Sequence, residues 1–172
     1  MIEPIVVGAF YVAAIVALFS TVMVVVNTHP VHALLYLVLS LLSVAMVFFT
    51  LGAPFAGVLE VIVYAGAILV LFVFVVMMLN LGKQTVDQER SWLKASGWIG
   101  PAVLAAVLLA ELVLVLVVTP QNGFTPISGQ TVDAKAVGVA LYGPYLLAVE
   151  LASTLLLAGL VAAYHLGRHQ ES

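Results

Sequence analysis

Glu60 and Tyr64 stand four residues apart in an apolar run, Gly57 to Asn80, that is long enough to cross a bilayer. The spacing puts a carboxyl and a phenol on one face of a helix, a turn apart. A charged side chain at membrane depth costs roughly 3 kcal/mol or more, and such residues commonly mark ion or proton pathways. Gly66, between Ala65 and Ala67, leaves the backbone beside Tyr64 thinly covered. A polar face with a weak point next to it has the makings of a proton gate. The structural alternative is a static hydrogen-bond donor to a neighbouring helix.

Two more acids fall inside apolar runs, Glu111 and Glu150. Counted from Pro54 and Pro144, Glu60 and Glu150 each lie six residues into their helices, about 9 Å. Glu111 lies ten residues past Pro101, about 15 Å in. Removing a carboxyl from water disfavours its ionised form, so each of the three could hold a proton and exchange it when hydrated. Glu111 has only Leu, Val and Ala around it and receives no role in the path. His29 and His32 lack a third ligand, and His165 and His169 fall at a helix end. Met77 and Met78 are packing residues. No phosphate loop, nucleophile–base pair or redox-cofactor motif is present, so no catalytic centre and no metal site are expected in this chain.

These residues need helices to hold them. The pattern predicts an all-α integral membrane protein with five transmembrane helices, at about 5–26, 31–51, 55–81, 98–118 and 144–166. Asn27-Thr28-His29-Pro30 breaks the first, because proline lacks an N–H and pushes its predecessor out of the α region. Gly52-Ala53-Pro54 makes a tight turn, and residues 82–94 form a polar connection. Trp92 and Trp98 fall where an aromatic belt would lie. Residues 119–143, with Pro120, Asn122, Gly123, Pro126 and Gly129, form the longest non-helical stretch expected. No repeat or soluble domain interrupts residues 1–172, which are expected to form one membrane domain.

Composition agrees. Of 172 residues, 65% are hydrophobic and 8% charged, where soluble domains run nearer a quarter charged. Runs of about 20 apolar residues specify helices rather than a barrel. A net charge of −3 without a basic patch gives no sign of nucleic-acid binding. The absence of cysteine excludes disulfides and thiolate-held clusters within the chain. Met1-Ile2-Glu3-Pro4 lacks a basic start, so residues 5–26 are expected to be a retained helix rather than a cleaved signal. Lys83, Arg90, Lys94 and Arg168 fall on one side of the membrane and Lys135 on the other. That places the N-terminus in the periplasm and the C-terminus in the cytoplasm.

Three blocks carry a family resemblance: Pro30-Val31-His32-Ala33-Leu34-Leu35-Tyr36-Leu37, Glu60 through Ile68, and Gly143-Pro144-Tyr145 through Glu150-Leu151-Ala152-Ser153. With the five spans they resemble the subunit J family of bacterial NADH–quinone oxidoreductase, the counterpart of subunit 6 of mitochondrial complex I. Met77-Met78-Leu79-Asn80-Leu81-Gly82 looks like the proteobacterial type. The resemblance covers essentially the whole chain. It implies a π-bulge about Tyr64, Ala65 and Gly66 that can convert to regular α-helix. It implies a proton path or gate at Glu60, Tyr64, Ala65, Gly66 and Glu150, linking the quinone site to the antiporter-like subunits. It also implies a bacterial inner-membrane location. The expected partners are the quinone-site subunit, a small three-helix subunit, the antiporter-like subunits and the lipid bilayer. FMN, iron–sulfur clusters and quinone would be held elsewhere in the complex. Glu111 departs from the family pattern. A related cation/proton antiporter complex and a purely structural scaffold are the alternative readings.

Overall fold

The computed structural model describes residues 3–28, 30–79, 95–118 and 126–168. Every regular element among them is helical. In chain order these are α1 (Glu3–Val26), α2 (Pro30–Leu51), α3 (Pro54–Leu59), a π-helix π1 (Glu60–Ile68), α4 (Leu69–Leu79), α5 (Ala95–Val118), α6 (Ala134–Tyr142) and α7 (Leu146–Gly167). Because α3, π1 and α4 run on without a break, they make one span. Five spans are each long and apolar enough to cross a membrane. Trp92, His29, His169 and the polar connection at 82–94 lie outside the described residues.

The chain divides into two compact units, Met1–Thr131 and Val132–Ser172. In the first, α2 is the central helix, packed against α1, α3, π1, α4 and α5. The buried face of α1 reads Val6, Ala9, Ala13, Val16, Ser20, alternating steps of three and four. That alternation is the spacing of a helix–helix seam. Val16, Tyr36, Leu39 and Leu108 form the core where α1, α2 and α5 meet. Hydroxyls fasten the α1–α2 pair: Thr21 Oγ1 and Ser40 Oγ lie 2.8 Å apart, and Ser40 Oγ donates to the Ala17 carbonyl at 3.4 Å.

The α2–α3 turn depends on a glycine for two reasons. Gly52 has φ +86°, and a Cβ there would run into the Gln130 carbonyl and the Pro126 ring. Residues 126–131 fold over this turn, with Ile127 N–H donating to the Thr50 carbonyl and Ser128 Oγ to the Leu51 carbonyl.

Two expectations are corrected. The stretch 119–143 is not wholly irregular, because α6 occupies Ala134–Tyr142. Its turn-forming residues all precede Asp133, whose carboxylate caps the helix by accepting from Ala136 N–H at 2.8 Å. Pro101 lies inside its helix, as in the expected span 98–118, and α5 begins at Ala95. Proline inside a helix crowds the carbonyl four residues back, and here that residue is Gly97. The bare backbone of this segment also seats α2 side chains, with His32 against Gly97 and Tyr36 against Gly100. Pro144 stands before α7 rather than opening it, in the turn where Tyr145 N–H donates to the Ala140 carbonyl at 3.1 Å.

Candidate functional site

The third span starts as an ordinary helix. Pro54 opens it at a position where no N–H is needed. Gly57 is buried against α2, where a Cβ would meet the Ala45 carbonyl at 3.0 Å and the Phe49 ring at 3.2 Å. Glycine here permits helix contact closer than any side chain would allow. At Glu60 the N–H still reaches back to Ala56 and Gly57.

From Glu60 to Ile68 the winding is wider. The N–H of Leu69 closes the stretch by bonding to the Tyr64 carbonyl, five residues back rather than four. Such winding is rare and is frequent at functional sites. Gly66 fits it narrowly: a Cβ would stand 3.1 Å from the Val61 carbonyl, also five residues back. Leu69, 3% exposed, is buried at the far end in this winding. The π-wound stretch thus lies between two buried contacts, Gly57 and Leu69.

Glu60 and Tyr64 share one face of π1, as their spacing predicted. Glu60 is partly buried and Tyr64 is 52% exposed, and neither side chain has a hydrogen bond among the described residues. Ala65 is partly buried and Gly66 exposed. The polar face of π1 is therefore without a hydrogen-bond partner among the described residues. Its neighbour Val61 turns elsewhere, into an apolar cavity of about 370 Å³ bounded by α2 and α5.

Glu150 belongs to the second unit, on α7. It is exposed, and the nearby hydroxyls of Ser153 and Thr154 donate to the Val149 and Glu150 carbonyls of their own helix. Among the described residues no three His, Asp or Glu side chains converge on a metal position. With no cysteine in the sequence, the chain offers no ligand set for an iron–sulfur cluster.

Residues 20–166 match the family model described as NADH-ubiquinone/plastoquinone oxidoreductase chain 6. The chain belongs to that family. It is 67% identical over 160 residues to the NADH-quinone oxidoreductase subunit J of Pseudomonas aeruginosa, covering 93% of this chain and 95% of the relative. It is 57% identical over 164 residues to the protein of the same description in Escherichia coli K12, covering 95% and 88%. A subunit J relative from Buchnera aphidicola subsp. Acyrthosiphon pisum is 48% identical over 162 residues, covering 94% of each chain. Membership of this family and five apolar spans together make the chain a multi-pass membrane protein.

One residue that sequence reasoning passed over stands out. Glu111 is 6% exposed, and neither carboxyl oxygen has a hydrogen-bond partner among the described residues. The signal was available: Pro101, Leu104, Leu108, Glu111 and Val115 follow the same alternation of three and four that marks the buried stripe of α1. Judging Glu111 by its nearest neighbours in sequence hid that pattern.

Proposed function

We propose that this chain is the membrane-arm subunit of an NADH:quinone oxidoreductase in which the third span acts as the gate coupling quinone reduction to proton translocation. The family match and the relatives described as NADH-quinone oxidoreductase subunit J support membership of the complex. The π-winding at Glu60–Ile68, next to an unpartnered carboxyl and phenol, supports the gate. In this reading FMN and the iron–sulfur clusters belong to other subunits. The polar face of π1 meets the quinone-site, three-helix and antiporter-like subunits. The N-terminus is periplasmic and the C-terminus cytoplasmic.

The mechanism uses the difference between two windings. Restoring four-residue hydrogen bonds would take one residue out of the wide turn, and one residue in an α-helix is about 100° of rotation. With α3 held at Gly57, that rotation passes to α4. It would change which of its aliphatic and aromatic side chains face the proton path. A bulky apolar side chain on the path excludes water and its removal admits it. Glu60 and Tyr64 supply the groups that take and pass the proton. Glu150 continues the path on α7.

Gly66→Val tests this directly. Its side chain crowds the Val61 carbonyl only in the π-winding, so the substitution biases the span toward regular helix and narrows the switch. Membranes holding matched amounts of assembled complex should then lose most NADH–quinone turnover or most of the accompanying proton gradient. Full retention of both would make the third span a scaffold.

A further inference from the structure

We infer that Glu111 is a proton-binding site of its own, separate from the Glu60–Tyr64 face, occupied in the resting protein and kept from bulk water by the apolar cavity beside it.

The carboxyl is enclosed by this chain's own helices rather than by lipid or a partner. It occupies a core position of α5, between Leu108 one turn before and Val115 one turn after, where α5 packs against α1 and α2. A carboxylate enclosed in apolar surroundings without a cation or hydrogen-bond donor would cost several kcal/mol, and binding a proton removes that cost. The described helices of the first unit hold no cation to do so. The sequence puts no Lys or Arg in α1, α2, α3, π1, α4 or α5.

The titratable groups on the surrounding elements are equally remote. His32 and Tyr36 of α2 sit against Gly97 and Gly100, fourteen and eleven residues back along α5. Those separations are about 21 Å and 16 Å along the helix. Tyr11 of α1 is 61% exposed, and Glu3 stands at the first residue of that helix. Glu60 and Tyr64 of π1 make no hydrogen bond to Glu111.

The cavity explains why the proton stays. It borders this core at Leu108, one turn before Glu111, and is otherwise walled by residues such as Met46 of α2, Val61 of π1 and Leu112 of α5. A cavity lined only by aliphatic and aromatic groups holds no ordered water, because water there finds no polar partners. Exchange of the Glu111 proton therefore waits on transient wetting. The inference does not depend on π1 changing its winding.

Infrared spectroscopy of the assembled complex in membranes tests both halves. The wild type minus Glu111→Gln difference should contain the C=O stretch of one protonated carboxyl, and Glu111→Leu should remove the same band if the amide prevents assembly. A difference showing only a lost carboxylate band would overturn the assignment. After transfer to D2O the wild-type band should shift slowly. In Met46→Gln, which places an amide of similar length in the cavity wall, it should shift at least tenfold faster. Complete exchange of the wild type within the mixing time, or equal rates in the two proteins, would overturn the role of the cavity.

Discussion

At the scale of single residues, the glycines are the sharpest tests, because each is needed for a different physical reason. Gly52 combines a positive φ with a carbonyl and a proline ring where its Cβ would go. Gly52→Ala should destabilise the first unit by about 1–2 kcal/mol from backbone conformation alone. A lower unfolding midpoint of the purified complex in denaturant would register it. Gly100 lies under the Tyr36 hydroxyl, so Gly100→Ala overpacks the α2–α5 contact, a change that costs about 1–3 kcal/mol in a tight core. Adding Tyr36→Phe should recover much of that loss, because it removes the atom in the way. A double-mutant cycle on thermal stability measures the recovery. The residue types at Glu60, Tyr64 and Gly66 were readable in the sequence, since an acid, a phenol and a glycine are foreign to a plain membrane span. Burial of Glu111 was less readable, because depth in the membrane and enclosure by protein are different quantities. Only the three–four alternation along α5 separates them.

At the scale of elements, the sequence specified helices well and their punctuation less well. Asn27 to Pro30 and Gly52 to Pro54 end and begin helices as proline and glycine chemistry requires. Pro144 misled, because it serves a turn before α7 rather than opening the helix, whereas Pro101 is tolerated inside α5. The helix α6 was missed because the turn residues upstream of it dominated the reading of the whole stretch. Between α1 and α2, the Thr21–Ser40 contact joins the two helices side chain to side chain. Interhelical hydrogen bonds in membrane proteins are worth about 0.6 kcal/mol on average. Thr21→Val should therefore weaken the pair by about that amount without altering quinone reductase activity. Pulse proteolysis of the assembled complex would resolve the difference.

At the scale of the whole molecule, the spans are unequally covered. Within the first unit α2 is the most covered span, and within the second unit α7 has no buried residue of its own. The chain contains no cysteine, so single cysteines along α7 can be followed on this subunit without background. Placed in turn from Leu151 to Leu160 and labelled with a lipid-soluble maleimide in the assembled complex, they should show protection that recurs with a period of about 3.6 residues. Uniform reactivity would mean that α7 faces lipid on every side. Fold class and span number were legible at this scale because hydropathy needs no tertiary information. The division of cover between spans was not, because every span is almost equally apolar.

The clasp over the α2–α3 turn also has a consequence in time. Ser128, which donates to the Leu51 carbonyl, is made 77 positions after its partner. At synthesis rates of about 5–20 residues per second, the turn waits about 4–15 s before its cover exists. During that interval α3, π1, α4 and α5 emerge while the hairpin has only its local backbone to hold it. A left-handed glycine at position 52 therefore matters most to the nascent chain, which must keep its first three spans in order before the strap arrives to close over them.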